Sequence, residues 1–207
     1  MRQLSQTLVR LNVETRSFHA DADAPWLDLV APGRATTRFD YVQHLVQQYG
    51  FDAPLEAAAA YTPHLDSFID VHPRFRAGHI AKDLVLLGVR PGELANLRQA
   101  MIAPFASVAE AFGWLYVHQR STLLHKAVLG VLLERLPDVQ AATAALSFDG
   151  GHIGGSWDQF GMAVDHAART TMIEDRIISA ARDAFRLLID WNTRASRETR
   201  QATYSRA

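Results

Sequence analysis

Apolar side chains recur every three or four residues along almost the whole chain, and no stretch alternates apolar and polar residues between hairpin turns. That period lines one face of a helix and not one face of a strand, so the sequence predicts an all-α, single-domain helical bundle without repeats or linkers. The first stripe is Leu4, Leu8, Leu11, Thr15 and Phe18. Ala31, Pro32 and Gly33 break the chain, and Tyr41, Leu45, Val46 and Tyr49 begin a second helix, interrupted near Gly50 and carried on to Tyr61 before Pro63. A short helix over 79–87 is closed by Gly88, with 89–92 as a turn, and a long helix over 107–135 is ended by Pro137. Residues 148–156 form the only glycine-rich loop. The last long helix is expected over 171–191, with Ile173, Ile177, Ile178, Ala181, Phe185, Leu188 and Ile189 inward. The domain then spans 1–192, and 193–207 is expected as a frayed polar tail.

Composition narrows the chemistry. Lys and Arg number 21 against 22 acidic residues, so no basic excess draws the chain to nucleic acid or an anionic membrane. With no cysteine, thiolate metal sites, disulfides and cysteine nucleophiles are excluded, and any metal must rest on His, Asp or Glu. The longest apolar runs, such as 84–87, fall far short of the roughly 20 residues of a membrane span. The opening residues lack a signal-like apolar core, which makes cytoplasmic residence the expectation.

Two constellations carry candidate chemistry. His19 continues the first stripe toward the core, and Asp23 follows one turn later, where its carboxylate can accept a hydrogen bond from one imidazole nitrogen and leave the other for iron. The same spacing equally suits a helix-terminal histidine paired with an acid. On the long helix, His118 and His125 lie seven residues apart and share a face with Ser121 and Thr122, which suits either a lined cavity or a wet side. Other signatures are absent or incomplete. Residues 150–156 lack the lysine of a phosphate loop, and no Gly-x-Ser-x-Gly or His-Glu-x-x-His motif occurs. Trp26, Trp114, Trp157 and Trp191 read as core or interface anchors.

Four stretches together resemble the bacterial, biliverdin-forming haem oxygenases. Thr15-Arg16-Ser17-Phe18-His19 is similar to the family's proximal-ligand segment, with Asp23 at the place of the orienting carboxylate. Tyr49-Gly50-Phe51-Asp52-Ala53-Pro54-Leu55-Glu56 is similar to a bacterial signature, Ala81-Lys82-Asp83-Leu84 to the helix that follows, and 113–125 to the distal helix. The resemblance runs in order through most of 4–191. It implies haem as both substrate and cofactor, held between the first and distal helices with His19 as the protein's iron ligand. Arg16, Asp23, Tyr116 and Leu124 would contact it. Arg120, Ser121 and His125 would stand on the oxygen side as the catalytic candidates. The resemblance further implies electrons from an external ferredoxin or reductase, cleavage of haem to biliverdin with release of iron and CO, and a monomer or homodimer.

The departures fall at the haem faces. Where the distal helix of the family has glycines, this chain has Arg120, Leu124 and His125, and no glycine lies between Gly113 and Gly130. At the positions of the propionate anchors stand Asn12 and Asp158, while Arg16 is kept and Arg120 offers a charge from a new direction. The sequence therefore leaves three readings open: an oxygenase; a non-catalytic haem or tetrapyrrole binder, in its six-coordinate form with His125 or His118 opposite His19; and a haem-free scaffold on the same fold.

Overall fold

The computed structural model describes residues 5–148 and 153–204, the side chains of 153–156 and 195–204 excepted. Leu4 and residues 149–152 of the glycine-rich stretch thus lie outside the described residues. The described chain is helical, in the order α1 (Gln6–Glu14), α2 (Arg16–Leu29), α3 (Arg38–Ala60), α4 (Ala77–Leu86), α5 (Pro91–Ala95), α6 (Val108–Ser121), α7 (His125–Arg135), α8 (Ala144–Ser147), α9 (Ile153–Ala167) and α10 (Thr171–Tyr204), with short 3-10 turns between some of them.

Capping starts the helices where the sequence leaves donors to satisfy. Ser5 accepts from the Leu8 amide at the head of α1, Ser107 from Glu110 at the head of α6, and Thr37 with Asp40 closes a reciprocal capping box on α3. Glu56 and Asp83 cap from a distance. Glu56 accepts the Arg76 and Ala77 amides at the start of α4, and Asp83 accepts those of Ala144 and Ala145 at α8.

Two apolar cores result. One gathers Leu11, Phe51, Leu55, Phe112, Leu115, Phe160, Ile177, Ile178 and Phe185, and the other Trp26, Leu29, Tyr41, Leu45, Ile80, Leu84, Val128 and Leu132. α2 and α3 contribute to both. The inward face expected for α10 is the one observed, with Ile177, Ala181 and Phe185 at most 1% exposed. α6 and α10 approach closely because residue 113 is glycine: a Cβ there would lie 2.6 Å from the Ala181 amide nitrogen and closer still to the Ile177 carbonyl.

Several expected boundaries move, each for a local reason. The first stripe is divided by Thr15, whose backbone leaves helical geometry (φ −107°, ψ 3°) and whose hydroxyl bonds back to the Leu11 carbonyl. α3 runs unbroken through Gly50, which stays helical and small because the Arg98 carbonyl and Trp191 ring would both stand 2.6 Å from a Cβ. The 107–135 helix is interrupted by a 3-10 turn at Thr122–Leu124. Residues 91–95 form a helix instead of a turn, residues 153–156 open α9 instead of ending a loop, and α10 continues beyond Trp191 to Tyr204. Gly88 takes the left-handed conformation expected of it (φ +97°).

Gly113→Ala should destabilise the chain by roughly 1–3 kcal/mol, read as a lower urea midpoint with unchanged slope, since a methyl must part α6 from α10. An unchanged midpoint would show that the two helices can separate at no cost.

Candidate functional site

α2 presents His19, Asp23 and Trp26 on one face, at intervals of four and three residues. Opposite them run the end of α6, the 3-10 turn and the start of α7. Side chains from this second line reach α2 at two levels, and both come from positions where the resemblance expects glycine. Arg120 holds Asp23 in a two-point ion pair at 2.6 and 2.8 Å, with side chains 15% and 14% exposed. One turn on, the His125 ring packs on Trp26 at 5.0 Å between centroids.

His19 sits above this pair, half-buried, with its ring against Phe185 at 5.5 Å. Its Nε2 lies 3.1 Å from Thr15 Oγ1. Because the Thr15 hydroxyl hydrogen is already committed to the Leu11 carbonyl at 2.6 Å, the hydroxyl oxygen accepts and His19 carries its proton on Nε2. Burial lowers the His19 pKa, Arg120 and Arg16 lower it further, and Asp23 opposes them, so the imidazole is a neutral nitrogen donor at pH 7. Phe18 stacks on Phe185, and Tyr116, 3% exposed, meets both Phe185 and Trp157 edge-on. These rings wall the His19 side with apolar surface.

The sequence-derived residues thus divide. His19, Arg16, Asp23, Arg120 and Tyr116 are brought around one seam. Asp23, expected to orient His19, is turned to Arg120 instead, because a bidentate guanidinium outcompetes a single imidazole N–H for a carboxylate. Arg16 is exposed, as are Asn12 and Asp158. Ser121 and Thr122 spend their hydroxyls on local backbone, donating to the His118 and Gln119 carbonyls. Leu124 is half-buried and packs into the second core.

His118 and His125 are both buried, at 2% and 3% exposure, in place of a wet side. Their chemistry differs. His118 donates Nε2–H to Glu56 at 3.1 Å, within a buried network that sequence reasoning missed. In it Arg76 forms a two-point pair with Asp52 at 2.7 and 3.2 Å and donates to the His118 carbonyl. The available signal was Asp52 and Glu56 four residues apart on an apolar helix face; nothing local marked Arg76. Both ring nitrogens of His125, and Nε2 of His44, are buried without a hydrogen-bond partner, and both rings pack against Trp26, at 5.0 and 4.0 Å between centroids. Among the described residues no group of three or more His, Asp or Glu is arranged to hold a metal ion. A surface cleft of about 550 Å³ opens elsewhere, between Phe68–Arg74 and α9.

A family model described as haem oxygenase matches residues 5–194. The chain belongs to the haem oxygenase family. No curated protein matches it. No helix among the described residues is long and apolar enough to cross a membrane. Membership makes haem the ligand against which the site is tested. On the α2 side the residues fit: a neutral, half-buried imidazole beside two arginines and an aromatic wall. On the opposite side Arg120 reaches across to Asp23, so a macrocycle could enter between α2 and α6 only if that contact gave way.

Two outcomes follow for the buried imidazoles. His125→Leu removes two unpaired nitrogens from an apolar contact of similar volume, so unfolding should become less favourable by about 1–3 kcal/mol, measured in urea. A loss of stability would mean that the ring is satisfied in solution. Burial also lowers the pKa of His44 to about 3, against Asp52, and that of His125 well below 6.5, with Arg76, His44 and His118 adding to the shift. Unfolding then takes up protons below pH 6.5. Stability is full above that pH and declines as pH falls toward 3, with a slope approaching about 1.4 kcal/mol per pH unit for each imidazole. His44→Leu should flatten the curve between pH 6 and 4.5.

Proposed function

We propose that this chain binds haem through His19 and cleaves it oxidatively to biliverdin, with release of iron and CO. The observation that carries the reading is the neutral His19 imidazole on the inner face of α2, walled by Phe18, Tyr116 and Phe185 in a chain of this family. Bound haem supplies the iron that activates oxygen and is itself the substrate. The protein's part is to hold and orient. To offer Nε2, His19 gives up its contact with Thr15 and moves its proton to Nδ1. Asp23, four residues on, is spaced to accept that Nδ1–H once Arg120 releases it. Phe185 and Phe18 keep water from the α2 side. The reading includes an external ferredoxin or reductase as electron source and a cytoplasmic setting.

A second reading, haem held without turnover, is favoured by Arg120. A guanidinium reaching across to α2 from α6, where the resemblance expects a glycine hydrogen, would take space that a bound macrocycle needs.

Titration with haemin, followed by reductant in air, tests both. Loss of the Soret band with growth of a biliverdin band supports the oxygenase, and a stable bound spectrum supports the holder. His19→Ala should abolish the bound spectrum in either case; an unchanged spectrum would falsify the ligand assignment.

A further inference from the structure

Arg120 is a long cation at a position where the family motif carries a glycine, and its side chain is 15% exposed with both terminal guanidinium nitrogens donating to one carboxylate. A guanidinium so far from water does not exchange its carboxylate for solvent cheaply, because the lost two-point, charge-assisted contact is only partly replaced. It exchanges readily for another carboxylate. The pair lies beside His19: the charges of Arg120 and Asp23 act on that imidazole in opposite senses. Asp23 also stands one helical turn after His19, so what Arg120 holds decides what His19 can use as its hydrogen-bond acceptor.

We propose that Arg120 is the carboxylate-recognition residue of this site: an incoming tetrapyrrole replaces Asp23 on the guanidinium with one of its own carboxylates, and the released Asp23 turns to His19. The exchange rests on the reading that haem binds through His19. It conserves charge, since one carboxylate leaves Arg120 as another arrives, and no group changes protonation except the His19 ring, whose proton passes from Nε2 to Nδ1. Two consequences are built in. The site selects tetrapyrroles with free carboxylates over esterified ones, and ligand capture is coupled to orientation of the iron ligand. A guanidinium in this place therefore does for selectivity what a glycine cannot. Lysine would supply the charge without the two-point fit.

The test compares haemin with its dimethyl ester by absorbance titration of the full chain, for the unaltered protein and for Arg120→Gln, Arg120→Lys, Asp23→Asn and His19→Ala, each checked for fold by circular dichroism. The unaltered protein should prefer haemin by about tenfold or more. Arg120→Gln should lose most of that preference by weakening haemin alone, and Arg120→Lys should fall between. Asp23→Asn should bind haemin more tightly, because the competing carboxylate is gone, while its Soret position shifts as His19 loses an anionic partner. Arg120→Gln binding haemin as tightly as the unaltered protein, or more tightly, overturns the proposal and leaves Arg120 as an obstruction. Failure of the underlying reading looks different: no haemin binding by the unaltered protein, or binding indifferent to His19→Ala, removes both. His19-dependent binding that ignores Arg120 and esterification removes the exchange alone.

Discussion

The buried pair between Arg76 and Asp52 ties the molecule together. Both side chains are at most 3% exposed, and they sit where α3, the entry to α4 and α6 meet, between the two apolar cores. Such a pair is stable only when every remaining donor and acceptor is met, because desolvating two charges costs several kcal/mol before their attraction is counted. Here each guanidinium nitrogen has a partner. Arg76 reaches the His118 carbonyl, Glu56 takes the amides at the head of α4, and His118 donates to Glu56. The register of α3 against α6 is fixed by this set, and with it the distance at which α6 runs past α2.

That register decides what Arg120 and His125 meet. Beyond Ser121 the chain tightens into a 3-10 turn, so the distal line does not bend on glycines but steps, and its two large polar residues come down on Asp23 and Trp26. This face carries a cation and an imidazole. The cation finds a partner and the imidazole does not. A buried, unpartnered ring is a standing cost, whereas a part-buried ion pair is a contact that another carboxylate can take over. The seam is thereby closed by contacts of unequal permanence, the exchangeable one nearer His19.

Much of this was legible in the order of residues. The helical period named the fold class, the inner face of α10 and the stripe from Leu8 to His19, since which side of a helix is apolar is written locally. The spacing of His19 and Asp23 placed both on one face of α2. It could not say that Asp23 would face Arg120, 97 residues away, because a competition between acceptors is decided by which donors the fold brings near. α9 went unread for a similar reason. Its opening glycines carry no helical signal, and its helicity rests on Trp157, Phe160, Ala163 and Val164 finding the first core.

The sequence by itself determined an all-helical chain of this family with His19 at the head of a candidate site, because period, spacing and motif are properties of neighbouring residues. Only the tertiary structure decided that His19 donates to the Thr15 hydroxyl, that Glu56 engages His118, and that Arg120 crosses to Asp23. Each of these is a choice of hydrogen-bond partner. The choice depends on distance and on exclusion of water, and neither exists until the helices have packed.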